Sequence, residues 1–328
     1  MTIVGQRLSA ANDWRPTASL ETLKIRARVL TRIRAYFAAR DVLEVETPAL
    51  SQAAVTDPQL ASFALPTPGG DRYLHTSPEF AMKRLLAAGC GDIYQIARVF
   101  RAGEAGRYHN PEFSLLEWYR RGFEQHALMD EVEALLGETL AGFCAVTPVR
   151  RLTYRDAFAQ YAGLDIATAS IAECKASMME GGIDTDAELD RRGWLELITS
   201  HMVAPACSRD RLTFIYDYPA DQAALAKVRP GAFPVASRFE LFANGIELAN
   251  GFHELADPEE QRARFGRELA SRRDAGGPIV PVDEHLLAAL AHGLPDCAGV
   301  AVGLDRLVML AAGHDHIAQA MAFSWDTA

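Results

Sequence analysis

The densest chemistry in the chain lies between Phe100 and Tyr119. Arg101 supplies a fixed cation, His109 a second candidate cation, Phe113 an aromatic plate, and Glu104 and Glu117 two carboxylates, all around one polar turn. A triphosphate nucleotide and a small cationic substrate together need that set in one pocket. From Glu112 onward, Phe113, Leu115, Glu117 and Tyr119 share one strand face, and Glu112, Ser114, Leu116 and Trp118 share the other. A core strand does not bury a glutamate beside two aromatic rings without a partner, because an unpaired buried charge is costly. The face therefore reads as a pocket floor, with Phe113 stacking on a flat base and Glu117 meeting a cation. The plain alternative is a half-solvated strand whose glutamate is exposed.

Two further constellations test that reading. Ala243-Asn244-Gly245-Ile246 is a two-residue hairpin turn signal. Simple alternation across it pairs Phe242 with Glu247 and Glu240 with Ala249, so Glu240 and Glu247 project from one face as diagonal neighbours. Such carboxylates repel unless a cation lies between them, and Mg2+ shared with phosphate oxygens suits the arrangement; two solvated glutamates are the alternative. Asn250 and Glu254 have the opposite parity to Glu247, so a bulge or turn near Gly251 is expected if all four line one site. In Gly299-Val300-Ala301-Val302-Gly303-Leu304-Asp305-Arg306, the strand glycines permit close approach by a ligand. Arg306 follows in the first turn of a helix, where the dipole favours phosphate. A buried strand leading to a surface arginine is the alternative.

These residues need a scaffold of strands edged by helices. Glu21 to Arg40 reads as an amphipathic helix on Val29, Ile33 and Phe37, with Lys24, Arg28, Arg32 and Arg40 off that stripe. Asp41 breaks it, and Val42 to Glu46 continues as a short strand stopped by Pro48. Ser77-Pro78-Glu79 opens another helix, with serine capping and proline first. Asp92 to Arg101 and Glu112 to Arg120 read as antiparallel strands, Phe239 to Phe252 as a hairpin, and Leu304 to Ala312 as a helix. Cys144 to Val235 is mixed and only sketched. Antiparallel strands flanked by helices, without βαβ alternation, predict an α+β fold.

With 328 residues, 49% of them hydrophobic, the chain can bury one large core or two modest ones. It has no run of eighteen apolar residues and no signal-like N-terminus, which predicts a soluble cytoplasmic protein without a membrane partner. Five scattered cysteines argue against a disulfide framework or zinc site. A net charge of −10 argues against nucleic acid as a partner.

Taken in order, the helix–strand–Pro48 segment, the Phe100–Tyr119 stretch and the Gly299–Arg306 segment resemble the three signature motifs of class II aminoacyl-tRNA synthetases. Among them the lysine enzyme is the most similar, and the match runs from about Leu20 to the C-terminus. A shorter branch of that family, which attaches (R)-β-lysine to elongation factor P, is closer on four features. About twenty residues precede the first helix, leaving no room for an anticodon-reading OB-fold. Thr76-Ser77-Pro78-Glu79 and Glu117-Trp118-Tyr119 look like that branch's versions of these segments. Asp221-Gln222-Ala223-Ala224-Leu225-Ala226 stands where the synthetase typically has Ser-Pro-Leu-Ala, and Ala301 stands where it usually has glycine. The Ala301 methyl would border the amino-acid pocket and favour a β-amino acid; neutral packing drift is the other reading.

The resemblance implies an antiparallel class II catalytic sheet as one domain over 21–328 after a 1–20 extension, dimerisation through the first motif, and ATP and Mg2+ as cofactors. It assigns Arg101, His109 and Arg306 to catalysis on the phosphates. Gly103, Asn110, Phe113, Glu247, Leu248 and Gly303 would join them in seating the nucleotide. Ser77, Pro78, Glu79, Glu117, Tyr119, Asn250, Glu254 and Ala301 would hold the amino-acid substrate, and Glu240 and Glu247 the metal. One departure is visible: the family's Phe-Arg-x-Glu is here Phe100-Arg101-Ala102-Gly103-Glu104, with the glutamate one place late. The implied reaction joins β-lysine, through an acyl-adenylate, to a lysine of elongation factor P. Its rivals are a truncated synthetase acylating tRNA, an amidating ligase such as the ammonia-dependent asparagine synthetase, and a non-catalytic paralogue acting as a binding subunit.

Overall fold

The computed structural model describes residues 14–146, 148–185, 188–209 and 211–328, so most of the expected 1–20 extension lies outside the described residues. The first half of the chain runs α1 (Leu20–Ala38), β1 (Leu43–Glu44), β2 (Leu50–Ser51), β3 (Ala64–Leu65), β4 (Arg72–Leu74), α2 (Glu79–Ala87), β5 (Ile93–Phe100), β6 (Glu112–Arg121) and α3 (Gln125–Leu140). β7 (Val149–Thr153), α4 (Tyr154–Tyr161), α5 (Ile171–Glu180), α6 (Arg191–Ile198), α7 (Ala204–Cys207), β8 (Leu212–Pro219) and β9 (Val228–Arg229) follow. The chain closes with β10 (Val235–Ala243), β11 (Ile246–His253), α8 (Pro258–Asp274), α9 (Glu284–Gly293), β12 (Cys297–Gly303) and α10 (Leu304–Ala312).

Among the described residues, nine strands form one sheet in the order β1-β5-β6-β12-β11-β10-β8-β7, with β9 on β10. Only the edge pairs β1–β5 and β7–β8 are parallel; the middle is antiparallel, as an α+β fold requires. One face is covered by α1, α3 and α10, whose apolar stripes supply Val29, Ile33, Phe37, Leu136 and Leu307 to the largest core. Phe37 stacks on Tyr94 with ring centroids 4.3 Å apart and meets the buried Trp118 edge-on at 5.4 Å. Cys144 to Val235 encloses a second core around Tyr154, Phe158, Trp194 and Tyr218. A third, with Met82, Leu86, Phe265 and Leu290, joins α2, α8 and α9 at the sheet's other face.

The local grammar is mostly as expected. Ser19 caps α1 by accepting from the Thr22 amide, and Asp41 makes the following turn with a left-handed φ of 53°. Asn244 and Gly245 both have positive φ, 51° and 78°, as a tight hairpin turn between right-twisted strands requires. At α2 the helix starts at Glu79, one residue later than expected: Ser77 Oγ accepts from the Glu79 amide at 3.0 Å, and Pro78 precedes the first turn.

The hairpin register departs from simple alternation. Phe242 lies opposite Glu247 as expected, but Leu241 faces Ala249 and Glu240 faces Asn250 rather than Ala249. The extra residue is Leu248, so the re-aiming bulge sits there and not near Gly251. Continued through the sheet, the register places Glu240, Asn250, Ala301 and Glu117 in one cross-strand row. Arg238, Phe252, Gly299 and Tyr119 form the next.

Candidate active site

These rows floor a cavity of about 1530 Å³, larger than the few hundred to 1000 Å³ of most small-ligand sites. Its walls come from the 48–62 segment, the start of α2, the 101–110 loop and α8. Arg272 of α8, buried, donates to the carbonyls of Thr56 at 3.0 Å, Asp57 at 2.5 Å and Leu60, and so straps the 55–60 segment to the wall.

One end carries the cations. Arg306 donates through Nε to the Tyr108 carbonyl at 3.2 Å, through Nη1 to the Glu247 carbonyl at 2.6 Å, and through Nη2 to His109 Nε2 at 2.8 Å. A guanidinium only donates, so His109 Nε2 must accept, which makes the ring neutral with its proton on Nδ1. Burial and the charge of Arg306 lower the histidine's pKa accordingly. His109 is thus not the second cation expected from its residue type; it orients the one at 306. Arg101 is tethered more loosely: Nε lies 3.4 Å from the Thr76 carbonyl, and Nη1 lies 3.7 Å from Glu104. Its guanidinium lies 5.0 Å from the Phe113 ring centroid, near enough for cation–π attraction.

Carboxylates gather at the other end. Glu117 is buried and accepts from Ser77 Oγ and from the Tyr119 hydroxyl, each at 2.7 Å. It makes no ion pair among the described residues. Burial, reinforced by the nearby Glu79, raises its pKa against the pull of those two hydrogen bonds. Lys83 lies behind it, 1% exposed, with Nζ 2.7 Å from Glu79 and 2.6 Å from Glu254. Burial disfavours that ammonium, but the two carboxylates outweigh it and raise its pKa. Glu254 is itself pushed up, chiefly by burial. Gly299 permits this packing, since a Cβ there would lie 2.2 Å from Tyr119 Cε1 and 2.7 Å from Glu254 Oε1. Its close approach serves a protein ring and not the ligand expected from the glycine-spaced strand.

Glu247 lies beside Arg306, which donates to its carbonyl, and Glu240 stands in the same cross-strand row as Glu117. Buried Glu240 is ion-paired to Arg238, which also donates to the Gln222 carbonyl at 2.7 Å and to Asn250 at 3.3 Å. Half-buried Glu247 makes no ion pair among the described residues. No group of three His, Cys, Asp or Glu side chains suited to a metal occurs among the described residues, so this pair is a metal seat only if a ligand completes it. The chemistry of the donors fits a hard divalent cation shared with phosphate oxygens.

A family model for class II tRNA synthetases of the aspartate, lysine and asparagine group matches residues 9–327. The chain belongs to this class II synthetase family. It is 50% identical over 325 residues to the elongation factor P–(R)-β-lysine ligase of Vibrio cholerae, covering 97% of this chain and 99% of that protein. It is 45% identical over 329 residues to the Salmonella arizonae protein of the same name, covering 98% and 100%.

The synthetase fold brings nearly every expected site residue to the one cavity: Ser77, Pro78, Glu79, Arg101, His109, Asn110, Phe113, Glu117, Tyr119, Glu240, Glu247, Leu248, Asn250, Glu254, Ala301, Gly303 and Arg306. Gly103 is not on the wall; it turns the loop with φ +83°, and the neighbouring Glu104 lines the cavity instead. Asn110 is occupied by the fold. Its Nδ2 donates to the Glu112 carbonyl at 2.6 Å, and its Oδ1 accepts from the Trp325 amide at 2.9 Å, pinning the C-terminal segment to the loop. Two residues were missed by sequence reasoning, Lys83 and Arg238, and both left a signal. Lys83 follows Glu79 at helical i,i+4 spacing, and Arg238 shares a strand face with Glu240.

Proposed function

We propose that this protein is an ATP-dependent ligase that activates (R)-β-lysine as an acyl-adenylate and transfers it to a lysine side chain of elongation factor P. The observation that carries the reading is one cavity with guanidinium groups at one end and surplus carboxylates at the other, in a chain whose near-full-length relatives bear that ligase name. In the first step a carboxylate oxygen of the amino acid attacks the α-phosphorus of ATP, and the bond to pyrophosphate breaks. In the second, the acceptor amine attacks the acyl carbon, AMP leaves, and the amine loses a proton. No nucleophilic side chain is needed.

The residues then have simple tasks. Arg101, loosely held, meets the substrate carboxylate and the α-phosphate, where negative charge gathers. Arg306, aimed by neutral His109, meets the outer phosphates. Phe113 stacks on adenine, Gly303 leaves room beside it, and the backbone around Leu248 borders the nucleotide. Glu117, Glu254 and Glu79 receive the ammonium groups, with Ser77, Pro78, Tyr119 and Asn250 shaping that end. Ala301, in register between Asn250 and Glu117, puts its methyl at the pocket floor and supports a β- over an α-amino acid. Glu247, together with Glu240 on its Arg238 support, would hold Mg2+, which neutralises phosphate charge when bound. Fixing the reactants in line supplies about 7–11 kcal/mol of the barrier.

A homodimer is part of this reading: Leu43, exposed at 53%, lies in the strand of the first-motif segment, and Leu50, exposed at 46%, just beyond Pro48. No helix of the described residues is long and apolar enough to cross a membrane, and we place the reaction in the cytoplasm. Incubation with ATP, Mg2+, β-lysine and elongation factor P, followed by intact mass spectrometry, tests the proposal. A gain of one lysyl residue on the acceptor supports it; charging of tRNA instead, or no transfer from either β-lysine or α-lysine, refutes it.

A further inference from the structure

We infer that Lys83 is a positioning and specificity residue, a counter-ion sealed behind the amine end that holds its surplus negative charge at two and aims Glu79 and Glu254 at a ligand with two ammonium groups. The inference rests on the function proposed above. Lys83 is 1% exposed and does not line the cavity, whereas Glu79, Glu117 and Glu254 all do. Its Nζ contacts Oε1 of Glu79 at 2.7 Å and Oε2 of Glu254 at 2.6 Å, so one oxygen of each carboxylate is not engaged by it. Glu117 receives only neutral donors, Ser77 and Tyr119. With all three carboxylates ionised, the state a bound diamine requires, one ammonium leaves two charges unmet, and no other ion pair reaches them among the described residues.

Without Lys83, three uncompensated carboxylates would share one buried site, and such groups take up protons rather than stay charged together. A second internal cation would leave one charge, enough for a monoamine. One lysine suits a diamine, whose own carboxylate falls to Arg101 at the far end. An i,i+4 pair within α2 fixes Glu79 in advance, and the bond to Glu254 ties α2 to the end of β11. Lys83 touches no reacting atom; it acts through these two carboxylates.

The test compares wild type, Glu79→Gln, Lys83→Met and the double variant. One readout is pyrophosphate exchange with β-lysine and with 3-aminohexanoic acid, which lacks the distal ammonium. The other is the thermal shift given by cadaverine against pentylamine, which needs no catalysis. Removing one carboxylate should lower the diamine-to-monoamine preference by about tenfold or more in Glu79→Gln, because a buried polar site left unpaired discriminates strongly. The double variant restores two unmet charges and should recover the preference to within about threefold of wild type, a non-additivity that only coupled residues show. A preference unchanged in Glu79→Gln, or a double variant no better than the singles, overturns the inference. Lys83→Met failing to fold leaves the other two variants to decide. If wild type exchanges no pyrophosphate with β-lysine, the proposed function falls, while the amine shifts still decide the role of Lys83.

Discussion

Replacing Gly299 by alanine probes the amine end through one atom. Its Cβ would lie 2.2 and 2.3 Å from Tyr119 Cε1 and Cδ1, and 2.7 Å from Glu254 Oε1. Ordinary carbon contacts are about 3.5–4 Å, so the Tyr119 ring must withdraw by more than about 1 Å. Overpacking of that kind costs about 1–3 kcal/mol. The shift also breaks the 2.7 Å bond from Tyr119 to Glu117, and a hydrogen bond to a charged group is worth about 1.5–3 kcal/mol. The first amount appears as lost stability in urea unfolding. The second appears in substrate binding, as a rise in KM for β-lysine of about 10- to 100-fold in pyrophosphate exchange. KM for ATP should change by less than about threefold, because the guanidinium end is separate. Gly303→Ala is the contrast: the three atoms nearest its Cβ are Arg306 carbons, at 3.5 Å and beyond. That variant should keep its stability and lose ATP affinity instead. Gly299→Ala with unchanged stability and an unchanged KM for β-lysine would refute the placement of Tyr119 and, with it, the architecture of the amine end.

Other perturbations separate the two ends from the scaffold. Glu117 and Glu254 have pKa values raised from 4.5 to about 7 and about 8, burial being the main cause. The folded state therefore holds more protons than the unfolded state between about pH 5 and 8, and ligand-free stability should fall as pH rises through that window. A diamine needs the charged carboxylates, so its stabilising effect should instead grow from pH 6 to pH 8; thermal unfolding with and without cadaverine reads both slopes. Arg306→Lys keeps the charge but loses the fork that meets Tyr108, Glu247 and His109, and kcat/KM for ATP should drop about 100-fold, against about tenfold for His109→Ala, which removes one hydrogen bond to a charged group. Asp305 accepts from Arg26 at 2.5 Å and from the Ser114 amide at 2.6 Å. Asp305→Ala strands that arginine and should cost about 3–5 kcal/mol of stability, with KM values of the remaining folded enzyme near wild type.

The legible parts of this molecule are those whose cause is local. Asn244-Gly245 announces its hairpin because both residues tolerate positive φ, and the structure uses both that way. The stripe Val29, Ile33, Phe37 places α1, and the alternation after Glu112 puts Glu117 and Tyr119 on the cavity side. The family motifs carried the rest of the site, because they encode which distant segments meet. What stayed hidden depends on a contact between segments far apart in the chain. Lys83 could be paired with Glu79 from helix spacing, but its burial against Glu254 follows from the packing of α2 on the strand ends. His109 has the residue type of a cation, yet its state is set by Arg306, which arrives from α10.

Glycines show the same division most sharply. A glycine in a strand says that something comes close, without saying what. Gly251 read as the place for a bulge; in fact a Cβ there would lie 2.4 Å from Phe239 Cζ, so it makes room for an aromatic ring, and the bulge falls at Leu248. Gly299 read as room for a ligand, and it is room for Tyr119. Gly303 alone of the three has a Cβ direction clear of close contacts, meeting nothing nearer than 3.5 Å. These distances assign two of the glycines to shaping the protein and leave the third open, as the proposed nucleotide site needs. A methyl scan of the three positions should accordingly show two stability defects and one specific loss of ATP affinity, and a stability defect at 303 would contradict that assignment.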